Sequence, residues 1–291
     1  MASFDAASTI GRALDALARQ DLAAGCEVVV IDSGGDDTAA LVAREHPEAI
    51  LLRSPSRLFA GEARHRGAAV ARGELLAFVD ADCVVASDWA RHVVAAHAAP
   101  HPVIGGVVEN GNPGDTTAWA YYFAEFHRWL PGQPAGFVDE VPACTMTMKR
   151  ETYERFGPFL AGAYCSDTQF VWRLAAAGIR PYLDPEIRVA HLNPTRLGAA
   201  LRHEVRHGRD FARLRSRERL GRAGALARAL AAPALPPLLL ARAARSARRR
   251  PELHRPLRRA LPRLAALVAA WSLGELAGYA EAALARPRSA A

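Results

Sequence analysis

Lysine is all but absent from this chain: Lys149 is the single lysine among 37 basic residues, and every other basic side chain is arginine. Set beside the abundance of alanine, this reads as codon bias before it reads as function. Long apolar runs are missing as well. The stretch 223–240 is interrupted by Arg228, Pro233, Pro236 and Pro237, and 264–274 is followed by Glu275. A clean membrane span needs about 20 apolar residues, so neither stretch qualifies well, and plain helical packing against the body is as good a reading as a membrane interface. The first ten residues hold neither a basic start nor an apolar run, which argues against a secretory leader there. Cys26, Cys83, Cys144 and Cys165 lie far apart with no C-x-x-C spacing, so neither a zinc clamp nor a redox pair is indicated. They read as buried thiols of a reducing cytosol. Neither G-x-G-x-x-G nor a Walker lysine occurs, which removes the usual phosphate-loop and dinucleotide fingerprints. No internal repeat is evident.

What is present is a chain of 291 residues, 51% of them hydrophobic, long enough to bury a sizeable core. The net charge of +7 conceals an asymmetry. Residues 201–291 carry 20 Arg against 6 acidic residues, while 1–200 carry 17 basic and 24 acidic residues. An acidic body is followed by a basic tail, and such a tail suits an anionic membrane surface or nucleic acid.

Periodicity divides the chain similarly. Apolar residues at Ile10, Ala13, Leu14 and Leu17 predict a helix over 10–19, with Ser8 or Thr9 as cap. A buried strand over 27–31 runs into the acidic, Gly-rich loop 32–38 and a helix to about residue 45. A strand over 50–52, a helix over 60–72, a strand over 75–79 and a helix over 88–97 follow. Next come a strand over 102–108, an aromatic-rich helix over 116–130 and a Pro/Gly loop over 131–141. A strand over 143–148, a helix over 168–177 and strands over 180–183 and 187–190 complete the span. Strands alternating with helices predict an α/β fold with a mostly parallel sheet flanked by helices, occupying 1–195. The remainder, 196–291, reads as a basic helical region rich in Arg, Ala and Leu.

The chemistry concentrates at strand ends. The apolar run 75–79 stops at Asp80-Ala81-Asp82, and a period of two puts both carboxylates on one side. Two such charges repel unless a cation or a set of donors lies between them, and hard divalent ions take carboxylate oxygens together with substrate phosphates. Asp32 likewise ends a buried strand, where open α/β sheets bind ligands, and its carboxylate suits a base or ribose. The plainer reading of Asp-x-Asp alone is a solvated turn.

Several motifs in order resemble the family 2 inverting glycosyltransferases of GT-A fold. They are Gly11-Arg12-Ala13-Leu14, Val30-Ile31-Asp32-Ser33-Gly34-Gly35-Asp36, Ala63-Arg64-His65-Arg66-Gly67, Phe78-Val79-Asp80-Ala81-Asp82, Ser166-Asp167 and Trp172-Arg173-Leu174 with His191. The resemblance implies transfer of a single sugar from a nucleotide-diphosphate sugar to a hydroxyl acceptor, with a divalent cation, Mn²⁺ or Mg²⁺, as cofactor. It implies that Asp32 holds the nucleobase with Ser33 beside it, that Asp80 and Ala81 line the ribose or diphosphate, and that Arg64 offsets charge on the leaving group. Asp82 and His191 would hold the metal, and Asp167 would be the general base; a plainer role for Asp167 is a helix cap.

The chain departs from that pattern in three places. The family's first strand is missing, since Met1 to Ala7 leads directly into the first helix. Ser166 stands where Glu is usual. Gln169-Phe170-Val171-Trp172-Arg173 exchanges the last two residues of the processive synthases' Gln-x-x-Arg-Trp, so polymer synthesis is not expected. The first two departures leave open a catalytically impaired, sugar-nucleotide-binding relative. A nucleotidyltransferase is a third reading, but it would show a basic Gly-rich loop near the amino terminus. The tail's arginines are interleaved with Leu and Ala more than with stacking aromatics, which favours lipid over nucleic acid. The expected location is the cytoplasmic face of the cell membrane, peripheral or anchored there, with a lipid-linked or cell-envelope acceptor.

Overall fold

The computed structural model describes residues 1–20 and 25–285; Arg286 and Arg288 of the basic tail lie outside the described residues. In chain order the elements are β1 (Ala2–Ser3), α1 (Ile10–Ala18), β2 (Val29–Asp32), α2 (Thr38–Glu45), β3 (Ile50–Arg53), α3 (Ala60–Val70), β4 (Leu75–Ala77), β5 (Cys83–Val85), α4 (Trp89–Ala96) and β6 (Val103–Asn110). They continue with α5 (Thr116–Phe126), β7 (Gly136–Phe137), β8 (Thr147–Lys149), α6 (Arg150–Phe156), α7 (Ser166–Ala176), β9 (Tyr182–His191), α8 (Leu197–Arg215), α9 (Gly221–Ala231), α10 (Leu235–Ala247) and α11 (Pro251–Leu284). The chain forms two units, one of residues 1–111 and 129–192 and the other of 112–128 and 193–291.

The first unit is the α/β body. Helix α1 buries Ile10, Ala13, Leu14 and Leu17, the stripe its spacing predicts, and β2 is buried along its whole length. Strands β1, β2 and β3 form a parallel sheet; the second sheet runs β4-β8-β6-β9-β5, with β7 on β9. The expected α/β class stands, while strand directions are more mixed than a mostly parallel sheet. In the second sheet only β6 and β9 run parallel, and β8 returns antiparallel beside both β4 and β6.

The strand expected to be missing is present in short form. Ala2 and Ser3 pair with Ile31 and Asp32, and Ala2 also bridges Asp80, so β1 lies between the ends of β2 and the Asp-x-Asp segment. Two residues carry no periodicity, and pairing with β2 supplies what their sequence does not. Two further expectations are corrected. The segment 143–148 opens as a turn of 3-10 helix, Ala143–Thr145, before β8. The strands over 180–183 and 187–190 are one strand, β9, passing through Pro185. Proline has no N–H to give a ladder; it is accommodated where the β6–β9 register shifts, between the Gly105–Leu183 and Val107–Arg188 pairs. Of the four thiols, Cys83, Cys144 and Cys165 are buried as expected, but Cys26 is exposed.

Helix α11 is the spine of the second unit. Its buried residues Leu253, Ala260, Leu264, Leu267, Gly274 and Gly278 face α8, α5, α9 and α10. At Gly274 an added Cβ would lie 2.2 Å from the Val205 carbonyl oxygen, so only glycine lets α8 and α11 approach there. Two helical stretches, Leu197–Ala247 and Pro251–Leu284, are long and apolar enough to cross a membrane by length and composition, against the expectation that neither would be. In α11 much of that apolar surface is buried within the unit, as in the core helix of a bundle.

This unit also buries acid. Glu204, 1% exposed, shares a hydrogen bond with Glu125, whose Oε1 lies 3.6 Å from His207 Nδ1. Burial raises the Glu204 carboxyl well above its ordinary pKa and the Glu125 charge adds to this. At Glu125 burial is outweighed by His207, which holds the carboxyl down at about 2. The raised group stabilises the fold fully below the ordinary carboxylate range, and that contribution is lost as pH climbs through its raised value; the lowered one contributes above that range and is lost toward pH 2. Glu204→Gln, which keeps the shape of the protonated acid, is therefore expected to be near neutral at pH 4. At pH 8 it should stabilise by on the order of 1 kcal/mol, read from thermal melts at the two pH values.

Candidate active site

Four strand ends and two helix starts supply the site residues of the first unit. At the end of β2, Asp32 is 1% exposed. Its Oδ1 accepts hydrogen bonds from the Ser3 hydroxyl at 3.1 Å and the Gly34 amide at 3.4 Å. Ser33 is buried beside it, its amide donating to the Ser3 carbonyl at 3.1 Å. The acidic loop that follows is braced by the segment after β1: the Gly35 amide donates to Asp5 Oδ1 and the Ala7 amide to Asp36 Oδ2.

Arg64 projects from α3 and is buried, donating to Asp80 Oδ1 at 2.6 Å. Burial works against the guanidinium's charge, but Asp80 and, behind it, Asp167 hold its pKa above the ordinary value. Arg64 Nε is buried and has no hydrogen-bond partner among the described residues, a donor left over for an anionic ligand. The Arg64–Asp80 pair also fixes the Asp-x-Asp segment to α3.

The two carboxylates of that segment reach the site differently from the period-two expectation. Strand β4 ends at Ala77, Asp80 sits in a lone bridge, and Asp82 lies in the turn that enters β5. They still interact, since the charge of Asp80 joins burial in raising the Asp82 carboxyl while His191 opposes both. What positions Asp82 is the antiparallel ladder of β5 on β9, with Cys83 opposite His191 and Val85 opposite Val189. The Leu192 amide closes it by donating to the Asp82 carbonyl at 2.7 Å. In this register His191 Nε2 is 3.5 Å from Asp82 Oδ2, and a slip of one residue would carry His191 to the other face. Ala81 is buried between the two acids.

Asp167 is the second residue of α7. The helix starts two residues earlier than expected, after Cys165 in a left-handed conformation (φ 62°), so Asp167 lies within the first turn and is not its cap. Its Oδ2 accepts from the Ala143 amide at 3.2 Å and its Oδ1 from the Thr168 amide at 3.0 Å, and a carboxylate there is favoured by the helix dipole. Ser166 is buried against α3: a Cβ on Gly61 would sit 2.7 Å from Ser166 Cβ and 2.2 Å from the Leu160 carbonyl oxygen. The missing glutamate is thus replaced by a residue small enough to let α3 and α7 approach, and that approach brings the Asp167 charge to bear on Arg64.

Asp82, Cys83 and His191 each offer a ligand atom within 4.8 Å of the others. Carboxylate oxygen and imidazole nitrogen suit Mn²⁺ or Mg²⁺ completed by phosphate oxygens. Burial raises the Cys83 thiol well above its ordinary pKa, with the neighbouring Cys144 and Asp82 adding to this, so it stays protonated and the hard-cation donors are Asp82 and His191. Cys83 escaped the sequence reading because only its cross-strand pairing with His191 brings it here; its one local signal is that it follows Asp82.

Parallel βα units leading to acids at strand ends, with a mixed sheet behind them, define the GT-A type of glycosyltransferase fold, and solved structures of that type superpose on the chain. A mannosyltransferase of Pyrobaculum calidifontis, PcManGT, solved with GDP-mannose and Mn²⁺, aligns with a TM-score of 0.58 at 21% identity, covering 98% of this chain and 74% of that one. GalNAc-T7 with UDP, GalNAc and Mn²⁺ aligns at 0.52 and 16% identity, covering 66% and 42%. The chain belongs to glycosyl transferase family 2, whose model matches residues 1–157. A validoxylamine A glucosyltransferase of Streptomyces hygroscopicus subsp. jinggangensis (strain 5008) is 34% identical over 105 residues, 34% of this chain and 25% of the relative. Its counterpart from subsp. limoneus is 36% identical over 98 residues, 32% and 22%. The chain spans about a quarter of the length of these curated relatives.

Proposed function

We propose that the chain transfers a single sugar, with inversion, from a nucleotide-diphosphate sugar to a hydroxyl acceptor, using the site at the strand ends of residues 1–195. The observation that carries this reading is Arg64, buried, paired with Asp80, electrostatically linked to Asp167, and keeping Nε for an anion. Asp32 and Ser33 hold the nucleobase, and Asp80 and Ala81 line the ribose and diphosphate. Asp82 and His191 hold the divalent cation, which when bound neutralises charge on the diphosphate. That the two solved neighbours hold Mn²⁺ and nucleotides supports this assignment.

The step is one displacement. The acceptor oxygen forms its bond to the anomeric carbon as the bond from that carbon to the diphosphate oxygen breaks, and the electron pair leaves with the nucleoside diphosphate. Asp167 takes the hydroxyl proton, and Arg64 offsets charge growing on the leaving group. The test is a panel including UDP-glucose and GDP-mannose, assayed for nucleoside diphosphate release with Mn²⁺, with Mg²⁺ and with chelator. Release from at least one donor, lost with chelator, supports the reading; donor binding without turnover would make the chain a sugar-nucleotide-binding relative instead.

The basic helical region of residues 196–291 holds the enzyme peripherally on the inner, anionic face of a membrane, where a lipid-linked or envelope acceptor is presented. Leu226, Leu230 and Leu238 stand exposed on α9 and α10 beside a run of arginines, the pairing of apolar and basic groups that suits a membrane interface.

A further inference from the structure

Between residues 242 and 263 the chain carries nine arginines, at 242, 245, 248, 249, 250, 255, 258, 259 and 263, against the single acid Glu252. The helical unit pairs arginines where it needs to: Arg209 and Arg213 on α8 both bind Glu281 of α11. Glu252, three positions before Arg255 on α11, is the acid nearest in sequence to Arg255, Arg258 and Arg259. Among the described residues none of the three has an ion-pair partner. The buried stripe Leu253, Ala260, Leu264 turns them to the opposite, exposed face of α11. There, with Pro251 and His254, they line a groove of about 620 Å³.

Arginines at positions i, i+3 and i+4 are neighbours on a helix surface, and like charges so placed repel one another. The arrangement is repulsive until an anion enters it. Guanidinium forks match the oxygens of a phosphate group. The surrounding surface selects among phosphate-bearing partners. No Phe, Trp or Tyr occurs from residue 212 to 270, so the base-stacking platform of a single-stranded nucleic-acid site is lacking. Elsewhere in the same unit Leu261 of α11, Leu226 and Leu230 of α9 and Leu238 of α10 are exposed.

We propose that the groove lined by His254, Arg255, Arg258 and Arg259 seats the phosphate of an anionic phospholipid headgroup, with the exposed leucines of the same unit entering the acyl boundary. This rests on the membrane reading above and adds to it a particular seat. The test is flotation of the full-length protein with vesicles of phosphatidylcholine alone and with phosphatidylglycerol added. Three chains are compared: the parent, the groove variant Arg255→Gln/Arg258→Gln/Arg259→Gln, and a charge-matched variant Arg242→Gln/Arg245→Gln/Arg248→Gln, each first shown to melt like the parent.

The parent is expected to float only with the anionic vesicles. The groove variant should lose about tenfold or more in apparent affinity, the charge-matched variant clearly less, and inorganic phosphate at the lipid phosphate concentration should not release the parent. Equal losses in the two variants would overturn the groove while leaving the membrane reading intact. A parent that floats with neither vesicle, or that binds a homopolymeric RNA and not vesicles, would overturn both.

Discussion

Asp167→Asn is expected to lower kcat by about 10²–10⁴-fold, the usual range for loss of a general base, while the dissociation constant for the donor stays within a factor of about two. The asymmetry follows from where Asp167 sits. Its carboxylate is held by the Ala143 amide at Oδ2 and the Thr168 amide at Oδ1, not by the Arg64–Asp80 pair, so the amide isostere keeps one of those acceptor contacts through its carbonyl oxygen and leaves the pair in place. What it removes is the lone pair that takes the acceptor proton. An interaction used only in the transition state shows in kcat and in kcat/KM alike. Calorimetric donor binding beside initial rates checks this; donor affinity falling together with rate would make Asp167 a part of the donor site.

The converse result is expected for Asp82→Ala. Removing this carboxylate takes away the oxygen donor opposite His191 Nε2 and leaves one strong donor for a divalent ion. Donor affinity should fall by about 10–100-fold in the presence of Mn²⁺ and by little in chelator, because without a cation Asp82 contributes mainly repulsion toward the diphosphate. The fold itself should change little, because the Asp82 side chain is 39% exposed. Titrating the donor with and without Mn²⁺ reads the difference directly, and equal affinity for parent and variant with Mn²⁺ would remove Asp82 from the metal shell. Asp80→Ala should behave differently again, since it strands the buried Arg64 guanidinium and so destabilises the fold.

How much of this was legible in the chain depended on distance along it. Val29–Asp32 and Ile10–Ala18 could be read because an apolar run and an i, i+3, i+4, i+7 stripe are local statements, and both elements end within a residue or two of expectation. His191 could be placed at a strand end, but its meeting with Asp82 depends on the β5–β9 register, which joins residues about a hundred positions apart. Cys83 entered the site by the same ladder and so went unnoticed. The short first strand was invisible because Ala2 and Ser3 acquire their conformation from β2. The aromatic-rich helix predicted over 116–130 is found, shortened to Thr116–Phe126, with Tyr121, Tyr122, Phe123 and Phe126 buried. That it packs with α11 in the helical unit is a tertiary fact that no local pattern encodes. Glu125 and Glu204 show the limit most clearly: each alone is an ordinary surface-type residue, and only the packing of α5 with α8 brings them into one hydrogen bond with Glu204 buried.

The central claim is that one carboxylate activates the acceptor while the nucleotide is held from the opposite side, so that the sugar is displaced once. Its most direct measurement is the anomeric configuration of the glycosidic bond in the product, read by proton NMR, from a donor whose sugar is α-linked to the diphosphate. A β-linked product is predicted. An α-linked product would require two displacements or a front-side path, and would contradict the roles assigned to Asp167 and Arg64.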